Sequence, residues 1–303
     1  MNRKSVWLFI RLSRPHFLLG AALLYALGAG IARYMGKPVD WGLFWLGQVW
    51  LALIQLSTHY LNEFFDFAAD AKNEHRTPFS GGSGTIGKDK LRRETALYAA
   101  VVCLALAAYF TVLIIREAQL SAELALTLAL IFLGSFLYST PPVRLASSGY
   151  GELTTSIVLS NLVPALAFLL QNNELHRLLA MATFPLTALN LAMMLTFELP
   201  DYASDLKYLK QTLMVRIGWQ RGIVTHNICI LIAFILFGLG ALLGFPLPIV
   251  LPAFLTLPLG VFQIWMVNRI ADGAKPNWTA LTFTAVALYS LTAYLLAFTF
   301  WTR

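Results

Sequence analysis

The chain has 303 residues, of which 58% are hydrophobic and only 12% are charged, with 22 Lys and Arg against 15 Asp and Glu. Because a soluble domain carries about 25% charged residues, this composition excludes an ordinary soluble protein and predicts an integral membrane protein. The basic excess does not indicate nucleic-acid binding, since membrane topology accounts for it. Cys103 and Cys229 both lie in apolar segments, so we expect buried free thiols.

Apolar stretches of membrane-spanning length recur along the chain. They cover approximately residues 17–34, 42–65, 96–115, 120–138, 152–170, 178–199, 223–243, 248–267 and 279–300. These stretches predict an all-α integral membrane protein with nine transmembrane helices. No separable soluble segment interrupts them, so we expect residues 1–303 to form a single transmembrane domain.

The distribution of basic residues between the loops predicts the orientation in the membrane. With nine helices, seventeen Lys and Arg fall on the side of the N-terminus and five on the other. Because cytoplasmic loops are enriched in Lys and Arg, the N-terminus is expected in the cytoplasm, in a multi-pass protein of the cell membrane. The two longer loops, at about 66–95 and 200–222, then lie on the cytoplasmic side.

The first of these loops begins with an acidic cluster. Asn62, Asp66 and Asp70 are spaced four residues apart, which places them on one face if the helix continues. A solvated helix end is the simplest explanation, but carboxylates at a helix C-terminus oppose the helix dipole. Three oxygen ligands on one face suit Mg²⁺, which substrate phosphates and water usually complete.

Basic and glycine-rich residues follow this cluster. Lys72 and Arg76 are also spaced four apart and are suited to binding phosphate oxygens. The run Ser80–Gly84 either presents backbone N–H groups to an anion or serves as a flexible linker. It lacks the Gly-Lys-Ser/Thr ending of a nucleotide-binding P-loop.

A second acidic cluster precedes the other long loop. Glu198, Asp201 and Asp205 are spaced three and four apart, again on one face of a continuous helix, which Pro200 is expected to kink. Basic residues, including Lys210, follow. Two such clusters facing each other across a cavity would hold a diphosphate through bridging Mg²⁺.

The two clusters resemble the motifs of a known family. Asn62-Glu-Phe-Phe-Asp66-Phe-Ala-Ala-Asp70 is similar to the N-[DE]-x-x-D-x-x-x-D motif of the UbiA superfamily of intramembrane prenyltransferases. Asp201-Tyr-Ala-Ser-Asp205 resembles the family's D-x-x-x-D motif, and the Tyr138–Arg144 segment resembles a further landmark. The resemblance implies a bundle of nine transmembrane helices with a cytoplasmic cap over a central cavity.

The resemblance also implies roles for individual residues. The Mg²⁺-diphosphate ligands, whose aspartates are the catalytic groups, would be Asn62, Asp66, Asp70, Asp201 and Asp205. The side chains that bind the diphosphate would be Lys72, Arg76 and Lys210, with Arg144 contributing from a neighbouring loop.

The activity implied is Mg²⁺-dependent transfer of a polyprenyl group from its diphosphate to a small aromatic acceptor in lipid-quinone synthesis. The segment from Lys210 to Gly218 resembles the branch that uses 1,4-dihydroxy-2-naphthoate in the menaquinone pathway. 4-Hydroxybenzoate, homogentisate and other acceptors remain open. A cation-coupled membrane transporter is the alternative of a different class, and a non-catalytic scaffold would leave the repeated acidic and basic pattern unexplained.

Aromatic side chains near the motifs are candidates for stabilising an allylic carbocation, because their ring faces carry negative charge density. By sequence proximity the candidates are Tyr60, Phe64, Phe65 and Tyr202, although each is also a plausible packing residue. Arg14 is expected either to anchor the chain at the membrane surface or to bind the carboxylate of an acceptor.

Overall fold

The structure is a computed structural model, and it describes residues 3–67 and 76–303. Within these two ranges the regular secondary structure is helical, apart from an isolated bridge between Ile86 and Leu91. Asp70 and Lys72, two of the expected site residues, lie outside the described residues. The all-α prediction is confirmed.

Up to residue 172, the described part of the chain contains seven α-helices. They are α1 (Arg3–Leu12), α2 (Pro15–Tyr34), α3 (Trp41–Phe65), α4 (Arg93–Glu117), α5 (Ala122–Ser139), α6 (Gly151–Ile157) and α7 (Val163–Asn172). A π-helical turn, Val158–Leu162, joins α6 to α7, so the two form one long rod.

The second half also forms seven helices. They are α8 (Arg177–Glu198), α9 (Tyr202–Lys207), α10 (Leu213–Ile217), α11 (Trp219–Leu242), α12 (Leu247–Phe254), α13 (Leu257–Ala271) and α14 (Trp278–Thr302). The short helices α9 and α10 lie in the loop that follows the second acidic cluster.

Eight spans in the described part of the chain are long and apolar enough to cross a membrane. Two of them are composite, since α6 joins α7 and α12 joins α13. Helix α3 is as long as the longest of these spans, with 25 residues, but it is not among the eight. It carries polar residues such as Gln55 and His59. The protein is therefore a multi-pass membrane protein, and the count of nine stays a prediction in which α3 is the ninth helix.

The bundle is closed by contacts between its first and last helices. Helix α14 packs against both α2 and α8, while α3 packs mainly on α4, and α11 packs on α8. Helix α2 approaches α7 so closely that a Cβ on Gly28 would lie 1.9 Å from the backbone oxygen of Pro164. Small residues permit such close packing in membrane bundles. Both cysteines are free and buried, as expected.

Three long helices end together at one end of the bundle. The chain leaves α3 at Asp66 and leaves α5 at the turn that contains Arg144, and these two side chains form an ion pair. Helix α8 ends nearby, because Phe197, next to its last residue, lines the same cavity as Asn62 near the end of α3. The fold thereby brings both acidic motifs to the same end.

Candidate active site

A cavity of about 200 Å³ opens between α2, α3, α5, the α6–α7 rod and α8. Along α3 its lining changes from Asn62 and His59, nearest the first motif, to Ile54 and Leu51 deeper in the bundle. The opposite wall is apolar and includes Met193 from α8. The cavity therefore offers a polar mouth beside the acidic motifs and an apolar interior.

The first motif is held by three side chains at the mouth of this cavity. The amide nitrogen of Asn62 donates to Asp66 Oδ2 at 2.9 Å and to Ser139 Oγ at 3.2 Å. Arg144 Nη2 donates to the other carboxylate oxygen of Asp66 at 3.1 Å. Asp66 is buried, whereas the Arg144 side chain is 41% exposed, so the ion pair lies at the boundary between the protein interior and solvent. The structure thus brings Arg144, Asn62 and Asp66 together.

The structure describes the first motif only as far as Asp66, at the end of α3, so the expectation that Asn62, Asp66 and Asp70 share one helical face stays a prediction. Helix α3 ends at Phe65, and Asp66 is its C-cap residue, with φ −92° and ψ 2°. Its backbone nitrogen still donates to the oxygen of Asn62 at 2.9 Å, which keeps the two residues on adjacent turns. Residues from 68 to 75 lie outside the described part, and Asp70 is among them.

The second motif follows a helix end and not a kink. Helix α8 stops at Glu198, Pro200 lies in the turn, and α9 begins at Tyr202. Proline lacks the N–H needed to continue the helix. Asp205 donates its backbone N–H to the oxygen of Asp201 at 2.8 Å, so these two carboxylates remain one turn apart. Glu198 does not share their continuous helical face, contrary to the expectation from its spacing.

The charges acting on Asp205 indicate that the two motifs lie close together. Burial, together with the negative charges of Asp201, Asp66 and Glu152, raises the pKa of Asp205 to about 6, while Lys210 acts in the opposite direction. The Lys210 backbone nitrogen also donates to the backbone oxygen of Asp205 at 2.9 Å. Several carboxylates around one buried position repel each other, and a cation between them would relieve that repulsion.

Sequence reasoning missed a buried carboxyl pair behind the second motif. Glu152 on α6 and Glu198 at the end of α8 are both buried and lie close to each other. Glu152 Oε1 accepts from the Leu213 backbone nitrogen at 3.2 Å, and Glu198 Oε2 accepts from that of Met214 at 3.0 Å. The signal was available, since an acidic residue within an apolar membrane stretch is rare and usually functional.

The glycine-rich segment is a folded loop and not a simple linker. Gly81, Gly82 and Gly84 adopt positive φ angles of 80°, 78° and 66°. The Ser83 backbone N–H, one of the groups expected to bind phosphate, donates instead to Glu63 Oε1 at 2.6 Å. Arg76 packs across Gly84, with its Nη1 atom 2.5 Å from the position that a Cβ would occupy.

The aromatic candidates chosen by sequence proximity do not line the cavity. Tyr60 bonds to Ser13, Phe64 lies under Arg93, and Tyr202 packs on Trp219. The aromatic residues that do line the cavity are Phe17, Phe79, Tyr138 and Phe197, together with the imidazole of His59. Only the folded chain reveals them, because they come from four separate segments.

Arg14 belongs to the site. It lines the cavity and forms an ion pair with Glu63, which is buried. Its backbone has a left-handed conformation, with φ 48°, at the junction of α1 and α2. The position inside the cavity is compatible with contact to an acceptor, which a purely interfacial anchor would not make.

The donor set suits a hard divalent cation. Among the described residues, no three His, Cys, Asp or Glu side chains converge closely enough to form a complete metal site. Asn62, which lines the cavity, can supply an amide oxygen, and Asp66, Asp201 and Asp205 can supply carboxylate oxygens close to one another. Mg²⁺ is commonly bound by one or two carboxylates, with water and substrate phosphates as the remaining ligands, so an incomplete protein shell fits this ion.

Comparison with known proteins decides the family. The model described as the UbiA prenyltransferase family matches residues 22–288. The chain belongs to the UbiA prenyltransferase family. It is therefore a prenyltransferase, as the two motifs predicted.

A curated relative and several solved structures resemble this UbiA family member. The 1,4-dihydroxy-2-naphthoate octaprenyltransferase of Bacillus subtilis (strain 168) is 27% identical over 281 residues, covering 91% of this chain and 78% of the relative. The UbiA homologue from Archaeoglobus fulgidus bound to GPP and Mg²⁺ has a TM-score of 0.71 at 18% identity, covering 98% of this chain and 100% of the homologue.

A more distant structure has the same fold. The digeranylgeranylglyceryl phosphate synthase structure has a TM-score of 0.63 at 13% identity and covers 98% of both chains. These structural likenesses establish the UbiA fold for the chain.

Proposed function

We propose that this protein transfers a polyprenyl group from polyprenyl diphosphate to 1,4-dihydroxy-2-naphthoate, in a Mg²⁺-dependent step of menaquinone biosynthesis. The observation that supports the proposal is an apolar cavity lined by Asn62 of the first motif, with Asp66 close enough to Asp205 of the second motif for their charges to interact. Residues 1–303 would act as one catalytic domain.

The two ends of a polyprenyl diphosphate match the two parts of this cavity. Its hydrocarbon chain can lie against Leu51, Ile54 and Met193 in the apolar interior. Its diphosphate is strongly anionic and needs compensating charge to sit at the edge of a bilayer. Arg144 and Lys210 supply positive charge beside the carboxylates.

Mg²⁺ would stabilise the departing diphosphate as a Lewis acid and template. Its proposed ligands are Asn62, Asp66, Asp201, Asp205 and Asp70, the last of which lies outside the described residues. The chain's own side chains then have separate tasks. Arg144 positions Asp66 through their ion pair. Lys210, Lys72 and Arg76 are proposed to bind diphosphate oxygens.

The aromatic rings lining the cavity are placed to stabilise positive charge at the C1 atom of the prenyl group. The faces of Phe79 and Phe197 are stacked, with their centroids 5.7 Å apart and an interplanar angle of 5°. Both residues line the cavity with Tyr138. Their negative ring faces favour a nearby cation in a site that excludes water.

Two observations favour the naphthoate acceptor. The curated relative at 27% identity is named for that substrate, and the segment from Lys210 to Gly218 resembles the same branch. Arg14, at the cavity wall, is positioned to bind an acceptor carboxylate. 4-Hydroxybenzoate also carries a carboxylate, so it is the acceptor to compare.

The test uses purified protein in lipid nanodiscs with labelled prenyl diphosphate, Mg²⁺ and both acceptors, with products identified by mass. We expect prenylated naphthoate in the presence of Mg²⁺ and none with EDTA. Asp66→Ala and Asp201→Ala should abolish transfer, whereas Asp272→Asn, at an exposed carboxylate, should retain it. Near wild-type transfer by a folded Asp66→Ala protein would contradict the mechanism.

The proposed orientation places the N-terminus and the site in the cytoplasm of a cell membrane. Cysteines introduced at Lys37 and Lys88 test it, because these exposed residues fall on opposite sides in the basic-residue count. In intact cells, a membrane-impermeant maleimide should label Lys37→Cys and not Lys88→Cys. The two native cysteines are buried, which keeps background labelling low.

A further inference from the structure

The second residue of the first motif, Glu63, connects α3 to two other segments of the chain. Its carboxylate accepts from Arg14 at the start of α2, and it accepts from the Ser83 backbone nitrogen at 2.6 Å and from Ser83 Oγ at 2.8 Å. Glu63 is 4% exposed. A buried carboxylate with three donors is a fixed attachment point, because charge-assisted hydrogen bonds are short and strong in a buried setting.

Ser83 belongs to a glycine-rich strap, which we define as residues 76–87. Its internal hydrogen bonds give it a defined shape: Thr77 Oγ1 accepts from the Ser80 nitrogen at 3.0 Å, and Ser83 Oγ bonds to Thr85 Oγ1 at 2.7 Å. Thr85 is fully buried. The strap is thus folded onto the protein at the end anchored by Glu63.

The other end of the strap reaches across the cavity mouth through Phe79. This ring contacts Phe17 on α2, with centroids 6.2 Å apart, and stacks on Phe197 of α8 at 5.7 Å. It also packs edge-on against Phe283 of α14 at 5.2 Å. Phe79 therefore connects the early and late helices of the bundle directly over the cavity that it lines.

We propose that Glu63 is a positioning residue that latches the glycine-rich strap over the cavity, so that Phe79 keeps water away from the reacting prenyl carbon. The proposal rests on the prenyl-transfer function proposed above. It adds that Glu63 controls whether the prenyl group is transferred to the acceptor or to water. Glu63 itself touches neither the prenyl group nor the metal. Its effect passes through Ser83 and the strap to Phe79.

The latch matters because two nucleophiles compete for the same carbon. In both reactions the C1–O bond breaks and the diphosphate leaves with the electron pair. In transfer, a ring carbon of the acceptor bonds to C1, and the ring then loses a proton or its carboxyl group as CO₂. In hydrolysis, a water oxygen bonds to C1 and its proton passes to the diphosphate, which gives the free prenyl alcohol. Excluding water therefore favours transfer.

The first measurement is the ratio of prenyl alcohol to prenylated acceptor made by full-length protein in nanodiscs. Glu63→Gln and Ser83→Ala should raise this ratio roughly tenfold, the effect on an opening equilibrium of losing one charge-assisted hydrogen bond. Glu63→Asp keeps the charge and should lie between Glu63→Gln and the wild type. The controls are Glu94→Gln, on an exposed carboxylate, and Thr302→Ala, at the exposed end of α14; both should behave like the wild type.

The second measurement is strap opening itself, which needs no turnover. Trypsin can cut after Arg76 and after Lys88, at the two ends of the strap, and cleavage there in nanodiscs should be faster in Glu63→Gln and Ser83→Ala than in the controls. Size-exclusion chromatography establishes that each variant is folded. If Glu63→Gln misfolds, Ser83→Ala carries both measurements, since it removes only the hydroxyl contact.

The outcomes separate the two proposals. Faster cleavage with a raised alcohol ratio supports the latch. Unchanged cleavage in folded variants overturns the latch, and faster cleavage with an unchanged ratio overturns its role in excluding water. No prenylated product from the wild-type protein with any acceptor overturns the proposed function, while the cleavage rates still decide whether Glu63 holds the strap.

Discussion

Replacing Asp205 with Asn tests whether the ionised Asp205 carboxylate lowers the stability of the metal-free protein. The pKa of Asp205 is raised to about 6 from the ordinary aspartate value of 3.8. At neutral pH its ionised form therefore destabilises the metal-free fold by about 3 kcal/mol, at 1.36 kcal/mol per pKa unit. Asparagine has nearly the same shape and no charge, so it removes this penalty.

The direction of the pH dependence follows from the raised pKa. The folded protein binds the Asp205 proton more tightly than the unfolded chain, so metal-free wild-type protein loses stability as the pH rises from about 4 to about 6 and changes little above that. Asp205→Asn lacks this contribution. In EDTA at neutral pH we expect it to melt roughly 5 to 10 °C above the wild type, and the difference should vanish near pH 4.

The assay is thermal unfolding followed by tryptophan fluorescence in detergent, with Asp272→Asn as the control at an exposed carboxylate. Mg²⁺ with a non-hydrolysable prenyl diphosphate should stabilise the wild type more than Asp205→Asn, because the variant lacks a ligand. If Asp205→Asn and the wild type showed the same melting temperature at every pH in EDTA, the carboxylate cluster would not be strained as its electrostatics indicate.

Substitutions at three further positions have expected outcomes. Arg144→Ala should raise KM for the prenyl diphosphate roughly tenfold or more while leaving KM for the acceptor nearly unchanged, since it removes a charge bonded to Asp66; equal changes in both constants would refute this. Glu198→Ala should destabilise the protein by about 3 kcal/mol by leaving the Met214 nitrogen and a buried carboxyl partner unsatisfied, whereas Glu198→Gln should cost much less, as thermal unfolding would show. Gly84→Ala should speed tryptic cleavage of the strap, because φ is 66° there and the Arg76 guanidinium occupies the space of a Cβ; an unchanged rate would contradict that packing.

The sequence predicted the membrane bundle and its two motifs because those properties are local. Apolar length identifies spans, and the spacing of Asp66 and Asp201 within their motifs identifies the family. It could not predict that α3 ends at Phe65 or that Pro200 lies in a turn. Helix ends depend on which tertiary contacts replace the lost backbone hydrogen bonds, and the contact of Arg144 with Asp66 joins residues 78 positions apart.

The same limit explains the residues that were missed. Glu152 is recognisable as an acidic residue in an apolar stretch, but its partner Glu198 was assigned to the metal-binding face from spacing alone. Phe79 and Glu63 have roles that depend on contacts with distant segments. Phe79 contacts α8 and α14, and Glu63 pairs with Arg14. A glycine run also reads as flexible in sequence, whereas hydrogen bonds to Glu63 and within the loop fix it in the structure.

The C-terminal ends of α3 and α8 bring negative charge into a buried part of the protein. Helices α3 and α8 both point their C-termini at the cavity mouth, so the partial negative charge of each helix end adds to the carboxylates of Asp66 and Asp205. Burial of these carboxylates keeps water from screening them. Arg144 compensates at one motif and Lys210 at the other, but burial, together with the neighbouring carboxylates, still raises the pKa of Asp205. This arrangement suits an enzyme that binds a cation together with an anionic diphosphate. The bound cation removes the repulsion between the carboxylates, and this relief strengthens cation binding.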